Sequence, residues 1–231
     1  MITSVSDFLE TGNIMIIPLF QDTKKAPNNT TIGLSRSASI TVKSAISSES
    51  FEGKEGKTIS IWTEECQIIL LGMGENNNLD TKKSRDIGAK CFSNLPENLG
   101  KNIVIRFTTG WNTEKMASFV EGMILRDYKF DKYQEKIDDE KQNEGWTIVC
   151  QTTKRFRENL DLEIKRLSSI ATGVHLARDL GNEPANRLYP EEFGIRANNW
   201  AIGKENVEVE VWDFSRLKEE GMYGLVEVGK G

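Results

Sequence analysis

The chain has 231 residues, enough for one large domain or for one domain and part of another. Hydrophobic residues make up 38% and charged residues 28%, a balance that supports a packed core and excludes a disordered polyelectrolyte. Thirty Lys and Arg against 35 Asp and Glu leave a net charge of −5, so there is no chain-wide attraction to phosphate backbones and nucleic-acid binding is not expected.

No apolar run reaches the length of a transmembrane helix, and no membrane contact is expected; Ile14 to Phe20 and Ile68 to Met73 have the length of strands. The N-terminus lacks the basic segment of a signal peptide, so the sequons at Asn28 and Asn29 should stay unmodified. Cys66, Cys91 and Cys150 are widely spaced and odd in number. They read as reduced thiols of a cytoplasmic protein, not as a disulfide frame or a zinc site.

In chain order, Asn13 to Phe20 reads as a buried strand. Ser35 to Ser50 carries Ala38, Val42 and Ile46 at helical spacing. Lys57 to Trp62 alternates, as a strand with one wet face does. Gln67 to Gly74 is apolar throughout, the pattern of a central parallel strand covered on both faces. Asp80 to Leu95 is expected to be helical and Asn102 to Phe107 to be the next strand. Thr113 is read as the cap of a helix carrying Met116, Phe119, Val120, Met123 and Ile124 on one face. Residues 135 to 144 read as an exposed loop, and Trp146 to Cys150 as the last strand of the first unit.

A long helix is expected from about Phe156 to Leu180, stepping through Leu160, Ile164, Leu167, Ala171 and Val174 and stopped by Asn182-Glu183-Pro184. Tyr189 to Glu192 opens a further helix with Phe193, Ala197 and Trp200. Val207 to Trp212 alternates as a strand does, Ser215 to Glu220 is a helical turn ended by Gly221, and Leu225 to Val228 reads as the start of another strand. Alternating strands and helices argue for an α/β architecture.

Three segments then carry a resemblance. Glu121 to Tyr133, Ala177 to Phe193, and Val207 to Asp213 followed by Leu217 to Gly231 occur in that order and at matching separations. Together they resemble the leucyl aminopeptidase, or cytosol aminopeptidase, family. The resemblance implies a macro-domain-like N-terminal domain over 1–155 with a mixed, mostly parallel sheet, a linker helix over 156–181, and the incomplete start of an α/β catalytic domain over 182–231. It also implies peptide substrates, a homo-hexamer of full-length subunits and a site for two divalent metal ions, manganese or zinc.

The ligands that the resemblance implies are a lysine, three aspartates and a glutamate, with an assisting arginine. All fall beyond the segment matched at Gly231, so no catalytic, cofactor-binding or metal-binding residue is assigned in this chain, and the chain by itself is expected to be inactive. Lys230 in Gly229-Lys230-Gly231 aligns with the end of an earlier strand, not with the metal-binding lysine of that family, and lacks the spacing of a phosphate-binding loop.

Other motifs read as structural. Gly72-Met73-Gly74 lacks the third Gly of a dinucleotide fingerprint, with Asn77 in its place, and reads as a tight turn. His175 is the only histidine and has no partner histidine with which to hold zinc. Asp138-Asp139-Glu140 reads as a solvated loop. The aromatic and basic run Tyr128 to Tyr133 reads as rings packed inward beneath lysine stems. The alternative to an aminopeptidase portion is a macro-like ligand-binding or oligomerisation module without hydrolase activity.

Overall fold

The structure, a computed structural model, describes residues 1–6, 12–21, 34–47, 51–96, 101–134 and 145–229. The sequons at Asn28 and Asn29, the acidic run Asp138 to Glu140 and Lys230 lie outside the described residues. The chain divides into two compact units, Met1–His175 and Leu176–Gly231, and the division falls inside one long helix.

The first unit is built on a six-stranded sheet in the order β1-β6-β5-β2-β4-β3. Its strands are β1 (Ile2–Ser6), β2 (Ile14–Leu19), β3 (Thr58–Trp62), β4 (Gln67–Gly72), β5 (Asn102–Arg106) and β6 (Thr147–Gln151). Every pairing is parallel except β3 on β4. β2 and β4 are buried at every position, as expected of strands covered on both faces. One face carries Ile14, Ile16, Ile69, Leu71, Ile103, Ile105 and Ile148. It packs against α2 (Thr81–Ser93), α3 (Thr113–Arg126) and the first part of α4 (Lys154–Asn182). The other face carries Met15, Ile17, Leu19, Ile68 and Leu70 and packs beneath Val42 of α1 (Arg36–Ser47).

Pro18 stands in an inner strand, where a missing N–H is ordinarily costly. The ladder explains its tolerance. Leu19 accepts from the Met73 N–H, so odd-numbered residues of β2 bond toward β4 and Pro18 faces β5. The β2–β5 pairing ends at Ile16 on Ile105, so Pro18 lies just past the last rung on that side.

α2 and α3 approach backbone to backbone. A Cβ on Gly88 would stand 2.0 Å from the Phe119 carbonyl oxygen, and one on Gly122 would stand 2.0 Å from that of Arg85. The same contact carries a charge pair, Arg85 Nε donating to the buried Glu121 carboxylate at 2.6 Å.

Three sequence readings are corrected. α3 is capped by Asn112, whose side chain accepts from the Lys115 N–H, and Thr113 is its first residue. Val207 to Trp212 carries no helix or strand and joins no ladder among the described residues. Its alternation survives in part, with Val207 and Val209 half-buried and Glu208 and Glu210 exposed. Leu225 to Val228 belongs to α7 (Tyr223–Val228), not to a strand. Without a neighbouring strand, extended backbone leaves donors and acceptors unmet, whereas a helical turn meets them locally. Here the N–H groups of Leu225 and Val226 both donate to the Met222 carbonyl. β1 is an element that the sequence reading did not assign.

The second unit otherwise follows the sequence. α5 (Pro190–Ala201) begins with proline at its first position, where a missing N–H costs nothing. α6 (Phe214–Glu219) is capped by Asp213, which accepts from the Arg216 N–H. Of the apolar residues of α7, Leu225 and Val228 are 60% and 83% exposed, whereas Val226 is buried.

Candidate functional site

In an open α/β sheet, ligands sit at the carboxyl ends of the strands. Here that position is occupied by side chains. Phe20 follows β2, and Phe107 and Trp111 follow β5; Trp111 lies 5.3 Å from Phe20, 4.9 Å from Phe107 and 6.0 Å from Phe119 of α3, ring centre to ring centre. The Gly72-Met73-Gly74 segment has no donors to spare. The N–H groups of Gly72, Met73 and Gly74 donate to the carbonyls of Lys57, Leu19 and Gly53. Gly74 holds a φ of +71°, and a Cβ on Gly72 would collide with the Lys54 carbonyl. The tight turn expected from the sequence is not seen: Gly72 ends β4, the chain runs on beside Leu19 and Gly53, and with these amides engaged the segment cannot cradle a phosphate.

His175 lies in α4 against Tyr128, with ring centres 5.3 Å apart. Its Nε2 is buried without a hydrogen-bond partner, as is the Ser168 hydroxyl two turns earlier on the same helix. Phe130 packs on Tyr133, and the Lys132 ammonium lies over the Tyr133 ring; Tyr128 and Phe130 are half-buried, while Tyr133 is 47% exposed. The inward packing expected of this run therefore holds for its first two rings and fails for the third.

Burial pushes the Cys91 and Cys150 thiols up to about 12, so both are protonated at neutral pH and are neither nucleophiles nor metal ligands. Among the described residues, no group of three or more His, Cys, Asp or Glu side chains converges as a metal site requires. Nor is any helix there long and apolar enough to cross a membrane.

The most connected polar cluster stands where α4 ends. Asn182-Glu183-Pro184 stops the helix, as the sequence indicates. The Glu183 side chain is then only 2% exposed and accepts from Arg196 Nη1 of α5 at 2.8 Å. The same guanidinium donates through Nε to Glu192 at 2.9 Å and through Nη2 to the Arg187 carbonyl at 3.5 Å. The bonds to Glu192 and Glu183 hold the Arg196 pKa above its ordinary value. Arg196 thus ties the helix stop to the following helix. The sequence reading missed it, although Glu192 and Arg196 are four residues apart on one helix, a spacing that announces a pair.

A second surface feature is a groove of about 290 Å³ between α2 and β3, floored by Ile69, Leu71, Ile87, Cys91 and Leu95, with Lys83 and Lys90 on its rim. Nothing in the sequence pattern marks it, because its walls come from elements that meet only in the fold.

Comparison with known proteins gives a consistent result. A sequence model described as the cytosol aminopeptidase family, N-terminal domain, matches residues 16–136, and one described as that family's catalytic domain matches residues 175–231. A probable cytosol aminopeptidase of Clostridium perfringens is 30% identical over 230 residues, covering 94% of this chain and 44% of the relative. One from Phytoplasma mali is 30% identical over 189 residues, covering 79% of this chain and 38% of the relative. The chain therefore spans less than half the length of these curated relatives. A solved tomato leucine aminopeptidase mutant superposes with a TM-score of 0.72 at 19% identity, covering 95% of this chain and 46% of that one. The bottromycin maturation enzyme BotP in complex with Mn superposes with a TM-score of 0.67 at 18% identity, covering 95% and 42%.

Proposed function

Because the chain belongs to the cytosol aminopeptidase family, we propose that it is the N-terminal portion of a metal-dependent leucyl aminopeptidase, which removes N-terminal residues from peptides. The observation that carries this reading is the order of the two family matches, the first ending before α4 and the second beginning within its last two turns. On this reading, residues 1–155 form the N-terminal domain, 156–181 the linker helix and 182–231 the start of the catalytic domain. The full-length enzyme works in the cytoplasm as a homo-hexamer.

The full-length enzyme uses two divalent metal ions, manganese or zinc; the Mn complex of BotP supports manganese as one of the candidates. The described residues do not fit such a pair, since no three of their carboxylates, imidazoles or thiols converge. On this reading the metal ligands lie in the part of the relatives that this chain does not cover, and the 231-residue chain is expected to show no peptidase activity by itself. Its own contribution is architectural. It supplies the six-stranded sheet and its helices, and the Arg196 cluster that sets how the chain leaves α4 and enters α5.

The test compares this chain with a chimaera in which the C-terminal remainder of the Clostridium perfringens relative follows Gly231. Both are assayed on a leucine chromogenic amide with manganese or zinc. Turnover by the chimaera alone supports the reading, and turnover by the 231-residue chain refutes it.

A further inference from the structure

The sheet of the first unit ends on β3, and the way β3 bonds leaves one edge unused. Gly72 N–H donates to the Lys57 carbonyl and Thr63 N–H to the Cys66 carbonyl, so odd-numbered residues of this strand face β4. The backbone groups of Thr58, Ser60 and Trp62 therefore point off the sheet. Among the described residues none of them takes part in a further backbone hydrogen bond. The side chains of these three residues lie on the α2 side, since Ile59 and Ile61 pack on the opposite face. Thr58 and Ser60 line the groove floored by Ile69, Leu71 and Cys91, and Trp62 stands beside it, 65% exposed. Bare edge strands template pairing with another chain, and proteins ordinarily blunt them with charge, proline or a covering element. None of the three residues is charged or a proline.

We propose that β3 pairs antiparallel with β3 of a second copy of this chain, about a twofold axis at Ser60, joining the two sheets edge to edge. The strip is complementary to itself in this register. Ser60 faces Ser60 of the second copy, and Thr58 faces Trp62 of the second copy in both directions. All three facing pairs are of the kind that exchange both backbone hydrogen bonds. Each exposed Trp62 then lies over the apolar groove beside Thr58 of the other copy, which removes the largest exposed ring of the first unit from water.

Charge favours the same arrangement. The exposed Glu64 follows the strand at one end. At the other end the Lys90 ammonium lies 3.8 Å from where a Gly56 Cβ would stand, and Lys90 makes no ion pair among the described residues. Antiparallel pairing brings the turn at Gly56, with its neighbouring Lys90, to the same end of the joined strands as the bend at Glu64 of the second copy, twice by symmetry. A parallel pairing would set like charges together. A foreign extended peptide could use the same edge, but it would have to supply the tryptophan and the acid that this chain already places at the matching positions.

The test uses the 231-residue chain and cysteine cross-linking, which the three buried native thiols do not disturb. Facing residues in a bonded antiparallel pair have Cα atoms about 5.5 Å apart, within disulfide reach. Ser60→Cys should cross-link to itself under mild oxidation. Thr58→Cys and Trp62→Cys should each fail to do so alone and cross-link when the two proteins are mixed, which keeps the test informative if one variant folds poorly. Sedimentation over about 1–100 µM should show a reversible dimer of the unmodified chain. Ser60→Lys should weaken it at least tenfold, and Glu64→Lys combined with Lys90→Glu should restore what each change alone weakens. A monomeric chain over that range overturns the proposal. So do association unaffected by Ser60→Lys and self-cross-linking of Trp62→Cys in preference to Ser60→Cys.

Discussion

Replacing Gly122 by alanine probes the backbone-to-backbone approach of α2 and α3. The added Cβ would stand 2.0 Å from the Arg85 carbonyl oxygen, whereas carbon and carbonyl oxygen ordinarily approach to about 3.3 Å. The obstacle is helix backbone, so α2 and α3 must separate by about 1 Å, and the core beneath them loosens. Overpacking of this size costs about 3 kcal/mol, at the upper end of the usual range, because no flexible side chain can give way. Alanine regains about 1 kcal/mol of helix propensity, leaving a net loss of about 2 kcal/mol. For a chain of this length that lowers the melting midpoint by about 4–8 °C. Gly173→Ala is the matched control. It lies in α4 with nothing within 4 Å of its would-be Cβ, so only the propensity gain of about 1 kcal/mol remains and stability rises. The assay is urea denaturation followed by circular dichroism. If Gly122→Ala and Gly173→Ala shift the midpoint in the same direction, the close-approach argument is wrong.

Asn112→Ala should cost about 1 kcal/mol through loss of the cap on the Lys115 N–H, while Thr113→Ala should stay within about 0.5 kcal/mol; paired denaturation curves decide which residue caps α3. Arg196→Ala should lower the melting midpoint more than Arg166→Ala does, because it strands the buried Glu183 carboxylate, whereas the Arg166–Glu163 pair is largely exposed; an equal effect would remove Arg196 from its linking role. The folded-state pKa values of Cys91 and Cys150 are raised from 9.0 to about 12, so their contribution is complete below about pH 9 and is lost as pH rises toward 12. Stability should fall across that window, and both thiols should resist a disulfide reagent at pH 8 until urea unfolds the chain. Rapid labelling of the native chain would contradict the burial.

Much of the sheet is legible because burial on both faces leaves an unmistakable mark. Ile14 to Leu19 and Ile68 to Leu71 are continuous apolar runs, and only a central strand uses such runs at that length. The long helix is equally plain, since Leu160, Ile164, Leu167 and Ala171 repeat at the helical period and are the residues that the structure buries. β1 is invisible for the converse reason. Ile2-Thr3-Ser4-Val5-Ser6 is half polar, and it becomes a strand by pairing with β6, a partner some 145 residues away.

The two misassigned strands of the second unit show the limit of periodicity. Val207 to Trp212 and Leu225 to Val228 have strand-like composition, but a strand exists only beside another, and no pattern within a segment reports whether a neighbour is present. The candidate sites divide the same way. The helix stop at Glu183 is written in local sequence, and its partner Arg196 could have been found from the four-residue spacing to Glu192. The groove beside Trp62 depends on the meeting of α2 and β3, which no local pattern encodes.

On the proposed reading, this chain is the N-terminal portion of a two-metal aminopeptidase and is not itself catalytic. Equilibrium titration of manganese tests it most directly, on the 231-residue chain and on the chimaera carrying a relative's C-terminal remainder. Two ions should bind per chimaera, together with the appearance of leucine amide hydrolysis, and none should bind stoichiometrically to the chain alone. Tight, stoichiometric manganese on the 231-residue chain would contradict it.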